Sequence, residues 1–262
     1  MPSFHLEKVA VVTGGSRGIG KAIALRLASE GANVAVCARS ERSTEKLPGS
    51  VHETAAAIQA LGRRGLAIRM DVTNDLEVEA MVQAVMNEFG RVDILINNAA
   101  LAGLAGSGKP FLEGGPELLD SFYRTNVRAP YLISSRIGAV MANAGGGAIV
   151  NISSRMGRLP GPTPARRPSG GEVNMGYGIS KAALDRFSAA IAVELFGYKI
   201  AVIGVYPGLT MLERLAGHTH PDLSSAESPD VTAKAVSFLC RAPLTHTGQF
   251  FISREVVLQN GL

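Results

Sequence analysis

Short apolar, β-branched runs alternate along this chain with longer stretches in which apolar residues return every three or four positions. Val9-Ala10-Val11-Val12, Val34-Ala35-Val36-Cys37 and Leu66-Ala67-Ile68 read as strands. So do Val92-Asp93-Ile94-Leu95-Ile96, Ala148-Ile149-Val150-Asn151-Ile152, Ile200-Ala201-Val202-Ile203-Gly204-Val205 and Gln249-Phe250-Phe251-Ile252. Between them Ile19, Ile23, Leu27 and Ala28 keep helical spacing up to Gly31, and 55–61 reads as a second helix. Val78, Met81, Val82, Val85 and Phe89 form a helical stripe closed by Gly90. Residues 118–141 read as one long helix with a kink at Pro130, which lacks an amide proton. Leu184, Phe187, Ile191 and Leu195 mark another helix, and 231–239 a last one. Strands that are apolar throughout, rather than alternating, are buried on both faces. The pattern therefore predicts an α/β fold: a doubly wound, mostly parallel sheet of about seven strands with helices on both faces.

At 262 residues, with no repeat and no linker composition, the chain reads as a single domain over 1–262. The 46% hydrophobic and 18% charged residues exclude disorder. A net charge of +4, spread along the chain, and the absence of Trp argue against nucleic acid as a partner. No apolar run approaches the roughly 18 residues of a membrane span. The opening Met1-Pro2-Ser3-Phe4-His5-Leu6-Glu7-Lys8 lacks the character of a signal peptide. Two distant cysteines, Cys37 and Cys240, suggest reduced thiols and a cytoplasmic protein, with no metal-ligand spacing. Two long stretches read as loops: 158–174, rich in Pro, Gly and Arg, and 208–230, rich in Ser, His and Pro.

The 30 glycines matter by position. Thr13-Gly14-Gly15-Ser16-Arg17-Gly18-Ile19-Gly20 follows the first strand and opens the first helix. In that setting glycines let a pyrophosphate approach the free amides and positive dipole of a helix N-terminus. Gly14, Ser16, Arg17, Gly18, Ile19 and Gly20 are therefore candidate cofactor contacts in a Rossmann-like fold. The second strand ends in Cys37-Ala38-Arg39-Ser40, where an acid would accept the ribose 2′-hydroxyl of NAD. Arg39 suits the 2′-phosphate of NADP instead, and Arg17 is placed to reach the same group.

Tyr177-Gly178-Ile179-Ser180-Lys181 puts a phenol and an amine one helical turn apart. Bringing a phenol from about 10 into the neutral range takes about 4 kcal/mol of differential interaction, which a nearby ammonium in a partly dry site can supply. With this pair, the ordered motifs Thr13-Gly14-x-x-x-Gly18-x-Gly20, Asp71-Val72, Asn97-Asn98-Ala99-Ala100, Thr125-Asn126-Val127, Ser153-Ser154 and Pro207-Gly208 resemble the short-chain dehydrogenase/reductase family from Val9 to Phe251. The resemblance implies a tetrad. Tyr177 would exchange a proton with the substrate oxygen, Ser154 would hydrogen-bond that oxygen, Lys181 would lower the Tyr177 pKa and bind the nicotinamide ribose, and Asn126 would hold a relay water. Ser154 is preferred to Ser153 because Ser154-Arg155-Met156-Gly157 keeps the family's Ser-x-x-Gly register. The resemblance also implies Asp71 and Val72 at the adenine, Asn98 beside the cofactor, and Pro207, Gly208 and Thr210 near the carboxamide. It further implies NADP(H), a small carbonyl or alcohol substrate, and a homo-oligomer, a tetramer or dimer. Three departures stand out: 23 residues separate Ser154 from Tyr177, Leu212 replaces a usual Thr, and Arg254-Glu255 replaces a common Asp-Gly-Gly.

Two other classes remain as alternatives. A catalytically silent dinucleotide-binding or scaffold protein would need only the glycine turn. A phosphotransferase would use Gly103-Leu104-Ala105-Gly106-Ser107-Gly108-Lys109, but Pro110 stands where a Mg²⁺-binding hydroxyl is required. His218, His220 and Asp222 read better as lid residues than as a metal site. Arg155, Arg158, Arg166 and Arg167 read as a solvated insertion rather than an anion trap.

Overall fold

The computed structural model describes residues 3–45, 47–102, 112, 115–158, 175–210 and 226–262. Seven strands form one sheet: β1 (Val9–Thr13), β2 (Asn33–Ala38), β3 (Gly65–Arg69), β4 (Ile94–Asn97), β5 (Gly147–Ile152), β6 (Ile200–Tyr206) and β7 (Phe250–Ile252). Their order is β3-β2-β1-β4-β5-β6-β7, and every neighbouring pair is parallel. The mostly parallel expectation is thus met by a wholly parallel sheet. The strand order reverses between β1 and β4, and in open α/β sheets the crevice at the strand carboxyl ends beside such a reversal is where ligands bind.

Alternate strand residues feed two cores. Ala10, Val12, Val34, Val36, Ile96, Val150 and Val205 face α1 (Gly18–Ser29), α2 (Val51–Ala60) and α7 (Pro229–Leu239), where Ile23, Leu27, Ile58 and Val236 meet them. Val11, Ala35, Cys37, Leu95, Ile149 and Val202 face α3 (Asp75–Phe89), α5 (Ala129–Asn143) and α6 (Met175–Leu195), through Val78, Met81, Ile133, Ile137 and Ala192. Two covered faces explain the unbroken apolar strands.

Three features differ from the sequence pattern. The second helix starts at Val51, because Ser50 caps it by accepting from the Glu53 amide. The chain ends in a helix the pattern missed, α8 (Ser253–Asn260), whose exposed polar face leaves only a short buried stripe at Val256. The long helix expected over 118–141 is divided into α4 (Pro116–Tyr123), a π-helical turn (Arg124–Arg128) and α5. The Ala129 amide donates to the Arg124 carbonyl five residues back. The irregularity lies one turn before Pro130, the expected kink, which sits within the first turn of α5. Proline has no amide to offer the carbonyl four residues earlier, so the Asn126 carbonyl lacks its α-helical donor.

Candidate active site

The expected site residues gather along the carboxyl edge of the sheet. The glycine turn follows β1, Arg39 follows β2, Asp71 and Val72 lie just past β3, and Asn98 follows β4. Ser154 follows β5, and Pro207, Gly208 and Thr210 follow β6. Tyr177 and Lys181 come from the first two turns of α6 and reach the same edge, where Lys181 Nζ donates to the Ile152 carbonyl at the end of β5 at 2.8 Å.

The glycine turn is shaped by close approach. Gly14 and Gly18 have φ of 66° and 55°, the left-handed region that glycine tolerates. A Cβ on Gly20 would stand 2.3 Å from the Gly14 carbonyl oxygen, so the helix can start this near the turn only with glycine there. Asn98 fastens the turn by donating from Nδ2 to the carbonyls of Thr13 and Gly14 at 2.9 and 3.1 Å. Ser50, Asn74 and Ser228 cap α2, α3 and α7, whereas α1 has at its N-cap Arg17, whose side chain makes no capping hydrogen bond. Its N-terminal amides therefore suit an anionic diphosphate. Ser16 is buried beneath the turn and Ile19 packs against the core. These residues fit a dinucleotide.

Arg39 is 76% exposed, and its guanidinium lies 4.0 Å from the Asp71 carboxylate. Burial works against the charged form of Asp71. The Thr73 amide and hydroxyl, at 2.9 and 2.8 Å, together with Arg39 and Arg69, nevertheless hold it below the usual carboxylate range. The Arg17 guanidinium donates to the carbonyls of Leu47, Pro48 and Gly49, tying the glycine turn to the loop after β2.

Around Tyr177 the side chains interlock. Its ring meets Phe122 edge-on, with centroids 6.3 Å apart, and Lys181 Nζ lies 5.6 Å from the Tyr177 ring centre. Lys181 is almost fully buried, and that burial pushes its amine down to about 8, against the pull of Asp185. Asn126, in the π-helical turn, accepts from the Leu101 amide and donates to the Leu101 carbonyl and to Ser180 Oγ. Ser180 in turn donates to the Tyr177 carbonyl at 2.7 Å. The two serines after β5 part company: Ser153 is buried with its hydroxyl 3.4 Å from the Lys181 carbonyl, whereas Ser154 is half-buried and caps a short 3₁₀ turn (Arg155–Gly157). Thr210 turns its hydroxyl onto the Gly208 carbonyl. Ser180, Asp185 and Tyr206 join this cluster without having been singled out by motif. The spacing of Asp185, four residues past Lys181, was the available signal.

A family model described as short chain dehydrogenase matches residues 8–220. The chain belongs to the short-chain dehydrogenase family. Members are oxidoreductases that bind a nicotinamide dinucleotide. Among curated relatives, hydroxysteroid dehydrogenase-like protein 2 from Homo sapiens is 29% identical over 96% of this chain. The chain spans 57% of that relative's length. The L-sorbose reductase of Gluconobacter frateurii, solved with NADPH and L-sorbose, is 27% identical with a TM-score of 0.78, covering 96% of this chain and 97% of that one. A 7α-hydroxysteroid dehydrogenase solved with NADH and 7-oxo glycochenodeoxycholic acid is 26% identical with a TM-score of 0.79, covering 95% and 94%.

Among the described residues no helix is long and apolar enough to cross a membrane. Leu212, Arg166, Arg167, His218, His220, Asp222, the run 103–110 and most of the 158–174 stretch lie outside the described residues.

Proposed function

We propose that this chain is an NADP(H)-dependent carbonyl reductase or alcohol dehydrogenase that uses Tyr177 as its acid and base. The observation that carries the reading is the buried Lys181 amine, lowered to about 8, one helical turn from Tyr177 at the carboxyl edge of the sheet. An ammonium in so dry a place favours the phenolate strongly. The glycine turn and the start of α1 would hold the pyrophosphate, Asp71 and Val72 the adenine, and Arg39 the 2′-phosphate. Asn98, Pro207, Gly208 and Thr210 would flank the nicotinamide end. The bound nicotinamide would supply or accept the hydride.

The chain's own residues handle charge and protons. Ser154 and Tyr177 donate to the substrate oxygen as negative charge grows there, and Tyr177 then surrenders its proton to it. Lys181 steadies the phenolate left behind and holds the ribose. Asn126, whose main-chain carbonyl receives no amide from Pro130, holds a water that passes protons between Lys181 and solvent.

The same reading includes a homo-oligomer, with a tetramer or dimer formed through α5 and α6. Tyr131 is 61% exposed and packs against Phe187 of α6, and a groove of about 350 Å³ beside it is lined by Tyr123, Val127, Arg128 and Leu132. Cys37 and Cys240 are buried free thiols pushed up to about 12 by burial, in keeping with a cytoplasmic protein. Ketones, steroids, quinones and acyl thioesters assayed with NADPH test the function. Turnover of at least one carbonyl compound is expected; NADPH binding with no turnover across the panel would favour a silent binding protein.

A further inference from the structure

The inner face of α6 does not stop at Lys181. Asp185 lies one turn further on, at the spacing that brings helical side chains together. Its carboxylate is partly buried where β5 and β6 end. Tyr206, the last residue of β6, donates its hydroxyl to Asp185 Oδ2 at 2.8 Å, while Asp185 Oδ1 is buried with no hydrogen-bond partner among the described residues. Tyr206 is itself buried, and the Arg158 guanidinium covers its ring at 4.7 Å. Among the described residues, the charged and titratable groups gathered here are Tyr177 and Lys181 on α6, Tyr206 from β6 and Arg158 from the turn after β5. Ser153 and Asn126 are the nearby neutral ones.

We infer that Asp185, held by Tyr206, is a positioning residue that keeps Lys181 charged. The inference rests on the proposed role of Lys181 beside Tyr177 and adds the group that sets its protonation. Lys181 donates to the Ile152 carbonyl, a neutral acceptor, so its hydrogen bond brings no compensating charge. A buried ammonium with neutral neighbours alone loses its proton readily. The partly buried Asp185 carboxylate, one helical turn away, opposes that loss electrostatically. Burial raises Asp185 from the usual carboxylate value, and Ser153, Tyr206, Lys181 and Arg158 pull it back. Tyr206 is pushed up to about 12 by burial and by Asp185, so its hydroxyl remains a donor across the working range.

The test is the titration of Lys181 by NMR in ¹³C-lysine-labelled protein without cofactor, with the signal assigned by its loss in Lys181→Arg. The midpoint should fall by at least about half a pH unit in Asp185→Asn, since an adjacent opposite charge moves a pKa by roughly one unit or more. Asp185→Glu should restore most of it. Tyr206→Phe, which keeps the carboxylate but releases its anchor, should lower the midpoint by a smaller step. An unmoved midpoint in Asp185→Asn overturns the inference; if that variant does not fold, an unmoved midpoint in Tyr206→Phe does so. Because the bare protein is titrated, failure to turn over any carbonyl compound would count against the proposed function and leave this result standing.

Discussion

The proposed role of Arg39 is to discriminate between NADPH and NADH, which differ by a single phosphate. A charge-assisted hydrogen bond is worth about 1.5–3 kcal/mol, roughly tenfold or more in affinity. NADPH should therefore give at least about tenfold higher kcat/KM than NADH, and Arg39→Asp should reverse or abolish that preference. Equal values for the two cofactors in the unmutated protein would sink the assignment. In the proposed mechanism Lys181 governs the pH behaviour. Loss of a proton from the coupled Tyr177 and Lys181 pair should make alcohol oxidation rise with pH, with an apparent pKa well below the ordinary phenol value of about 10. Lys181→Ala should reduce both kcat and NADPH affinity, measured by fluorescence titration. A variant that lost only one of the two would separate the roles given to that amine.

At the scale of elements, the turn from β1 into α1 depends on Gly20. Alanine there would place a Cβ 2.3 Å from the Gly14 oxygen, a clash with backbone rather than with a yielding side chain. Gly20→Ala should lower stability by about 1–3 kcal/mol, read from the urea midpoint, and weaken NADPH binding; an unchanged midpoint would contradict the packing described. Far from this turn, His5 is buried against Ser237 and Glu30, joining the N-terminal segment to α1 and α7. Burial lowers the His5 pKa from 6.5, with Arg241 and Lys8 adding to it. The stability its neutral form gives is full above about pH 6.5 and is lost as pH falls below that value. His5→Gln should flatten this part of the stability profile. The five inner strands were legible in sequence because both their faces are buried, and α3 because its stripe ends at Gly90, which is left-handed at φ 74°. The π-helical turn was not legible: Pro130 signalled an irregularity, but the turn lies one turn earlier, where the Asn126 side chain meets Leu101 and Ser180 across the fold. Asp185 was hidden for a related reason, since its partner Tyr206 arrives from a distant strand.

For the molecule as a whole, the exposed Tyr131 and the adjoining groove on α5 are expected to meet a second copy of the chain. Light scattering at micromolar concentration should give a dimer or tetramer mass, and a monomer would refute this arrangement. The proposed active site draws on the carboxyl ends of six strands and the start of α6, so its chemistry would be a property of the assembled sheet. Tyr177 lies at the centre of that claim, and phenylalanine there keeps the ring against Phe122 while removing the proton. The decisive measurement is kcat of the unmutated and Tyr177→Phe proteins on a carbonyl compound that the former reduces with NADPH. The account predicts a loss of at least about 10²-fold with NADPH affinity nearly unchanged; a Tyr177→Phe protein that keeps near-normal kcat would mean the proton comes from another group.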